Sequence, residues 1–385
     1  MTTTRNALKL NQGRVFKKIN YYIYTMVYKV IGLMSGSSLD GLDIAHVMLE
    51  EVRGQWRYEI LNAACIPYST ELARDLQHAS TINVSDFLKL HTRYGRYIGM
   101  MVNEFIAKHE LSHQVHFIAS HGHTVFHEPA NQTTYQIGDG AAIAAITELP
   151  VISDLRAMDV ALGGQGAPIV PIGDKLLFGE YDYLLNIGGI ANITIPHNDG
   201  ILAFDVCPAN QVLNALAARE GKTMDEDGAM AAKGNLLPNI LDDLDSAGYY
   251  KQLPPKSLSN EAAQDLAFPK LLESSHDIYD LLHTATAHIA TQIANAAGKY
   301  PHGKENAKLL ATGGGAFNTF LIMQLEKLLA PHNISVVVPE PNVVKYKEAL
   351  VMALIGTLRW REEVNVLSSV TGASKDSVGG ALWLG

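Results

Sequence analysis

Apolar residues in this chain fall into short runs separated by glycine-rich polar breaks. Residues 30–34 and 44–49 are apolar, and the string Ser35-Gly36-Ser37-Ser38-Leu39-Asp40-Gly41-Leu42-Asp43 between them predicts a β-hairpin with a polar tip. A further strand is expected over 58–66. Across 70–111 apolar positions (Leu72, Leu76, Phe87, Leu88, Leu90, Tyr94, Ile98, Val102, Phe105, Ile106) recur at helical spacing. A short strand over 115–119 ends in Ser120-His121-Gly122-His123-Thr124, a small-residue helix follows at 141–149, and a strand at 151–154 ends in acid. Residues 183–195 then repeat strand, glycine tip and strand, about 155 residues after the first hairpin. An apolar strand over 201–204 leads to a helical run starting near Gln211. Another strand, 308–312, runs into Gly313-Gly314-Gly315 and a helix over 320–329. Two hairpins of one kind, one per half, imply a duplicated fold with a cleft between lobes.

Composition narrows the class without choosing a function. A chain of 385 residues, 47% hydrophobic and 18% charged, fits about two globular domains. A net charge of −9 argues against a nucleic-acid binder that works by bulk electrostatics. Cys65 and Cys207 lie far apart and suggest no disulfide framework, so a reducing compartment such as the cytoplasm is expected. No apolar run reaches membrane-spanning length. The first 28 residues carry Arg5, Lys9, Arg14, Lys17 and Lys18 with no acid, and read as a disordered extension; the coding start is open to Met26.

The candidate chemistry lies in the polar breaks. The first tip offers backbone N–H and hydroxyl donors that can wrap an anion. Gly36 and Gly41 have Walker A spacing, but Leu42 and Asp43 stand where Lys and Ser/Thr belong. Phosphates bound there would need a divalent cation, and an ordinary tight turn is the equal alternative. His121, His123 and His127 have a spacing that can hold a metal. Without Cys or further His nearby, hydrogen bonds to substrate or backbone fit them better. Asp154, Arg156 and Asp159, with the loop at 163–168, suit either a hydroxylated substrate or a structural salt-bridge cluster. That loop lacks dinucleotide spacing, since Ile169 stands where the third glycine would be. Three glycines before a helix suit a nucleotide.

The order of two phosphate hairpins and a GGG turn resembles the hexokinase/actin/sugar-kinase ATPase superfamily. The strings IGLMSGSSLDGLD, SHGHT, QIGDGAAIA, ALGGQGAPIVP, LNIGGIANIT, DEDGAMAA, TGGGAFN and VTGAS resemble the anhydro-N-acetylmuramic acid kinase family over residues 28 to 385. The resemblance implies an α/β, two-lobed duplicated actin-like ATPase (ribonuclease H-like) fold with a central cleft. Residues 28–151 with a C-terminal return over 350–385 would form lobe I, residues 152–349 lobe II, and residues 1–27 the extension. It also implies ATP-dependent conversion of 1,6-anhydro-N-acetylmuramic acid and water to N-acetylmuramic acid 6-phosphate in peptidoglycan recycling, a cytoplasmic carbohydrate kinase reaction using ATP and Mg²⁺.

The resemblance places the base that activates water at Asp205. The residues alone allow an acid at a strand end facing the cleft, or a cap for the helix near Gln211. Glu348 matches a family acid that reaches substrate, and is equally an acid in a first helical turn. ATP is expected at Gly36, Ser37, Ser38, Leu39, Asp40, Gly41, Leu42, Asp43, Asn186, Gly188, Gly189, Asn192, Gly313, Gly314, Gly315 and Asn318. Substrate is expected at His121, Gln136, Asp154, Arg156, Gln165 and Gly166. No direct metal ligand is expected: Mg²⁺ would be carried by ATP, reaching Asp40 or Asp43 through water. The expected partner is a small amino sugar, with no nucleic acid or membrane, and a homodimer is left open. Ser37 replaces a usual Thr, His123 a usual Gln, and Cys207 and Ala209 two usual glycines. If those glycines take positive φ, the replacements strain the loop carrying Asp205. The string 256–261 also departs, keeping Lys256, Ser257 and Glu261. A non-catalytic ATP- or muropeptide-sensing protein, or a kinase for another sugar, is the alternative on the same fold.

Overall fold

A computed structural model of the chain describes residues 26–385 except Ser37, Asn198, Asp199, Pro255 and His302. The expected extension falls outside these residues, save that Met26 and Val27 open the first strand. The first half runs β1 (Met26–Ser35), β2 (Gly41–Val52), β3 (Gln55–Pro67), α1 (Thr70–Gln77), α2 (Val84–Lys108), β4 (Phe117–Glu128), β5 (Thr133–Ile137), α3 (Gly140–Thr147), β6 (Val151–Ser153), α4 (Ala157–Ala161) and α5 (Pro171–Leu177). The second runs β7 (Tyr183–Ile187), β8 (Ile190–His197), β9 (Gly200–Pro208), α6 (Asn210–Ala218), α7 (Pro238–Asp245), α8 (Asn260–Leu272), α9 (Ile278–Lys299), β10 (Ala307–Thr312), α10 (Thr319–Leu329) and β11 (Ile334–Val337). The chain then returns through α11 (Pro341–Trp360), α12 (Ser368–Thr371) and β12 (Ala381–Trp383).

The two sheets repeat one topology. Strand order is β12-β6-β4-β1-β2-β3 in the first, with β5 paired to β4, and β11-β10-β7-β8-β9 in the second. In each, three strands form an antiparallel meander. The next two strands then add in parallel on the far side of the first. This shared 3-2-1-4-5 order is the duplicated α/β fold expected from the two hairpins.

Alternating side chains decide what each sheet face covers. Ile31, Leu33 and Ile44 pack with Tyr94, Ile98 and Val102 of α2, while Val30, Ala45 and Val47 face α11. In the second sheet Tyr183, Leu185 and Leu309 face the core built around α9, while Leu184 and Leu310 join α11. Helix α11 is therefore a wall common to both sheets, and residues Ala349 through Ile355 on it are buried. Gly32 makes that contact possible, because a Cβ there would collide with the Ala349 carbonyl. Leu155, Ile169, Ile172 and Phe178 also pack with the first sheet.

Two expected elements differ in extent. The helical run over 70–111 is two helices, because His78 caps α1 and the Asn83 side chain accepts from the Asp86 N–H to start α2. The strand expected to stop at 119 continues to Glu128. His121 and His123 thus lie inside β4, where the β5 hairpin satisfies backbone groups that a loop would have left open.

Candidate active site

The second hairpin presents a row of polar side chains across four adjacent strands. Thr312 on β10 pairs with Asn186 on β7, Asn186 with Asn192 on β8, and Asn192 with Asp205 on β9. Residues paired in register share a sheet face, so the row is a consequence of register alone. Asp205 sits inside β9 and Ala209 is the residue preceding α6, so the helix-cap alternative is excluded. One Asp205 oxygen accepts from the Leu258 N–H at 2.9 Å, and its carbonyl accepts from the Tyr249 hydroxyl at 2.7 Å. Burial raises its pKa, and the Leu258 N–H opposes that. Cys207 and Ala209 are buried and neither takes positive φ, so the expected strain is absent.

The first hairpin has a longer tip, residues 36–40, with the Ser38 hydroxyl donating to Asp40 at 2.7 Å and Leu39 at φ 55°. Ser37 lies outside the described residues. Leu42 points into the core, leaving only its backbone for a ligand. Asp43 is half-buried, and burial, with Asp40 and Glu348 adding repulsion, pushes its pKa up to about 6 against a Cys65 hydrogen bond. Below the tip, Ser35 accepts from the Tyr68 hydroxyl at 2.8 Å and lies 3.1 Å from His123 Nδ1. The histidines face protein partners: His121 Nε2 accepts from Arg156 Nε at 2.8 Å, and His127 Nδ1 lies 3.0 Å from Thr134 Oγ1.

Glycines separate tip from packing. A Cβ at Gly41, Gly313 or Gly315 would strike Ile66, Asn186 or Ile187, so the fold itself requires those glycines. Around Gly36, Gly188, Gly189 and Gly314 a Cβ would meet only ordinary contacts, and none has positive φ. Those four are free of a packing demand and leave bare backbone at the two tips and the GGG turn. Asn318, by contrast, is spent within the fold: its side chain accepts from the Leu321 N–H to cap α10 and packs on Gly228. Gly314 and Gly315 lie in a 3₁₀ turn over 314–317 that precedes that helix.

The third wall is built around Arg156. Its guanidinium donates to His121 and to the Gly166 carbonyl, at 2.8 and 2.6 Å. Because Nε2 of His121 accepts, Nδ1 carries the proton toward the Gly122 carbonyl at 2.9 Å. The ring is neutral, with burial and then Arg156 holding its pKa down to about 3. Asp159 is a buried latch for the 163–168 loop, accepting from the Gly166 N–H and the Thr371 hydroxyl, both at 2.7 Å. Gln165 is exposed, and its N–H donates to the Thr371 carbonyl at 2.8 Å. Gln136 is buried and donates to Thr134 at 2.9 Å. Asp154 takes φ 57° where β6 ends, and accepts from Ser153 at 2.6 Å. A non-glycine residue held there is of the kind found at ligand sites.

Glu348 joins these walls. Helix α11 is kinked at Tyr346 (φ −117°, ψ 19°), so Lys347 and Glu348 begin a fresh helical segment. Glu348 keeps solvent access, yet surrounding protein desolvates it and raises its pKa, while Arg156 and Lys347 oppose the rise. Lys347 itself is bound to Asp174 at 2.7 Å. Helix α12 lies against β9, which brings the Arg156 loop toward the strand of Asp205. Tyr249 and Leu258 went unnoticed in the sequence, since they lie 44 and 53 residues from their partner.

The family model for anhydro-N-acetylmuramic acid kinase matches residues 28–385. A protein named anhydro-N-acetylmuramic acid kinase from Francisella tularensis subsp. novicida (strain U112) is 34% identical over 370 residues, covering 89% of this chain and 95% of its own. One of the same name from Bacillus cereus (strain ZK / E33L) is 31% identical over 372 residues, covering 91% and 97%. Among solved structures, component A of the (R)-2-hydroxyglutaryl-CoA dehydratase of Acidaminococcus fermentans matches with a TM-score of 0.43 at 15% identity, over 85% of this chain and 96% of its own.

Proposed function

The chain belongs to the anhydro-N-acetylmuramic acid kinase family, and we propose that it phosphorylates 1,6-anhydro-N-acetylmuramic acid with ATP, using Asp205 to activate water. Water attacks the anomeric carbon, the bond from that carbon to the 6-oxygen breaks, and the 6-oxygen takes the γ-phosphoryl group. Asp205 receives the proton, and the products are ADP and N-acetylmuramic acid 6-phosphate. The observation that carries this reading is the registered row Asn186–Asn192–Asp205, which sets one carboxylate beside neutral amides at a tip of bare glycine backbone. A base so placed has its pKa raised toward neutrality, where proton transfer is efficient.

ATP fits the two tips through Gly36, Ser38, Gly188 and Gly189, and the GGG turn through Gly314. Mg²⁺ carried by ATP fits beside Asp40 and Asp43 through water, where it would relieve the repulsion that Asp40 and Glu348 exert on Asp43. When bound it would neutralise phosphate charge during transfer. Arg156, oriented by His121 and Gly166, and Glu348 opposite it would grip hydroxyl, amide or carboxylate groups of the sugar. A lobe boundary near 180, following the packing of Leu155 to Phe178 on the first sheet, refines the division at 151/152. Among the described residues no helix is long and apolar enough to cross a membrane. A cytoplasmic site follows from the reaction's need for ATP. Homodimer formation is open to sedimentation.

The test is direct. Purified protein with ATP, Mg²⁺ and the anhydro sugar should yield the 6-phosphate by mass spectrometry. In ¹⁸O-water the label should appear on the anomeric oxygen. Product without label would remove water attack from the mechanism, and no product would remove the activity.

A further inference from the structure

On the face of β9 turned away from Asp205, a recess of about 70 Å³ opens between β9, residues 250–256 and the end of α9. That is several times what a single water needs and gives room for a small ionic group. Phe204, one residue from Asp205 and so on the opposite face, helps form its floor. Lys256, Lys299, Asn295, Gln292 and Tyr250 supply the polar lining. Among the described residues neither lysine has an ion-pair partner. Lys256 Nζ lies 4.3 Å from the centre of the Tyr249 ring and, among the described residues, donates only to the Tyr249 carbonyl, at 3.3 Å. The carboxylate behind the wall, Asp245, is engaged by Gln292 at 2.8 Å and His288 at 2.5 Å. Burial and then Lys299 lower the Lys256 pKa, as expected for two cations sharing one recess.

We propose that this recess is a second ligand site taking a small oxyanion, either inorganic phosphate or the phosphate end of a phosphomonoester, and that its occupancy is felt at Asp205. The connection is covalent and short. Tyr250, Gln252, Pro254 and Lys256 line the recess, and near neighbours in the chain hold Asp205: the Leu258 N–H donates to its carboxylate, the Tyr249 hydroxyl donates to its backbone carbonyl, and the Asp205 N–H donates to the Lys256 carbonyl at 3.3 Å. An anion drawing Lys256 toward Lys299 would shift the Leu258 N–H, two residues on, that sets the carboxylate. The effect on rate rests on the proposed role of Asp205; binding does not.

Equilibrium dialysis with ³²P-phosphate tests binding, with the cleft saturated by AMPPNP and Mg²⁺. One saturable equivalent per chain is expected. Lys299→Gln and Asn295→Asp should each weaken it about tenfold or more, with circular dichroism and phosphate-free turnover unchanged. Absent saturable binding, or wild-type binding by both variants, would overturn the proposal. Glucose 6-phosphate as competitor separates the sources: displacement supports a phosphomonoester ligand, and failure to displace supports free phosphate. Phosphate should change wild-type turnover and leave Lys299→Gln unchanged; equal responses would overturn the coupling. A protein that binds phosphate but makes no sugar phosphate would sink the kinase reading and leave the site standing.

Discussion

The two hairpins share a topology and differ in charge. In the first meander the aligned row is Met34, Asp43 and Cys65; in the second it is Asn186, Asn192 and Asp205. The acid has moved from the middle strand to the outer one, and amides fill the positions left. An acid on the middle strand meets the tip and its neighbours Asp40 and Glu348, a setting for a cation. The acid on the outer strand has the Leu258 N–H and no such acidic neighbours in its shift, a setting for a base. The two frames are equal in topology and differ in side-chain choice at one register level, which under the proposed function would separate binding from proton transfer.

The largest test of this contrast swaps out the two outer-strand residues. Asp205→Asn should lower turnover by about 10²–10⁴-fold with the fold intact, whereas Cys65→Ser should change it by less than about tenfold. Equal effects would erase the distinction. Glycines come next. Gly313→Ala forces a methyl onto Asn186 at φ 79° and should cost about 1–3 kcal/mol by denaturant unfolding. Gly188→Ala has room, and should leave stability within ~1 kcal/mol while raising KM for ATP.

Asp43→Asn tests the cation side. The folded carboxyl titrates near 6 against an ordinary 3.8, so wild type holds this group's contribution below pH ~4 and loses it as pH rises through 6. Above pH ~6 the Asn variant should be the more stable by roughly 1–3 kcal/mol without metal. Millimolar Mg²⁺ with ATP should stabilise wild type selectively; a flat difference across pH would remove the charge argument. The smallest effect belongs to Cys207→Gly. With no strained φ to relieve, glycine there should lower stability by about 1 kcal/mol, and a gain would restore the strain argument.

Both hairpins, the duplicated order and the GGG turn were legible because each is local: an apolar run, a glycine tip, a second run. The continuation of β4 through Ser120-His121-Gly122-His123 was not, since polar residues of that kind read as loop until β5 pairs with them. Nor was the sorting of glycines, because Gly36 and Gly41 look alike in sequence and only the neighbourhood of Ile66 separates them. Asp159 read as substrate ligand or ion pair; the partners its side chain has among the described residues are a loop amide and Thr371, 212 residues away, which sequence does not bring together. Glu348 was singled out through its motif; the helix kink at Tyr346 just before it was not legible.

Helix α11 also has a bearing on biosynthesis. The face of the first sheet formed by Val30, Ala45, Val47 and Leu49 is covered by a helix that begins at residue 341, and β12 joins β6 only at 381–383. On the ribosome, every strand of the first sheet except β12 is made long before helix α11 exists. At about 5–20 residues per second, the roughly 200 intervening residues leave that face without α11 for about 10–40 s, covered only in part by Leu155 to Phe178. Nascent chains stalled before residue 341 should bind chaperones, and those released after it should not.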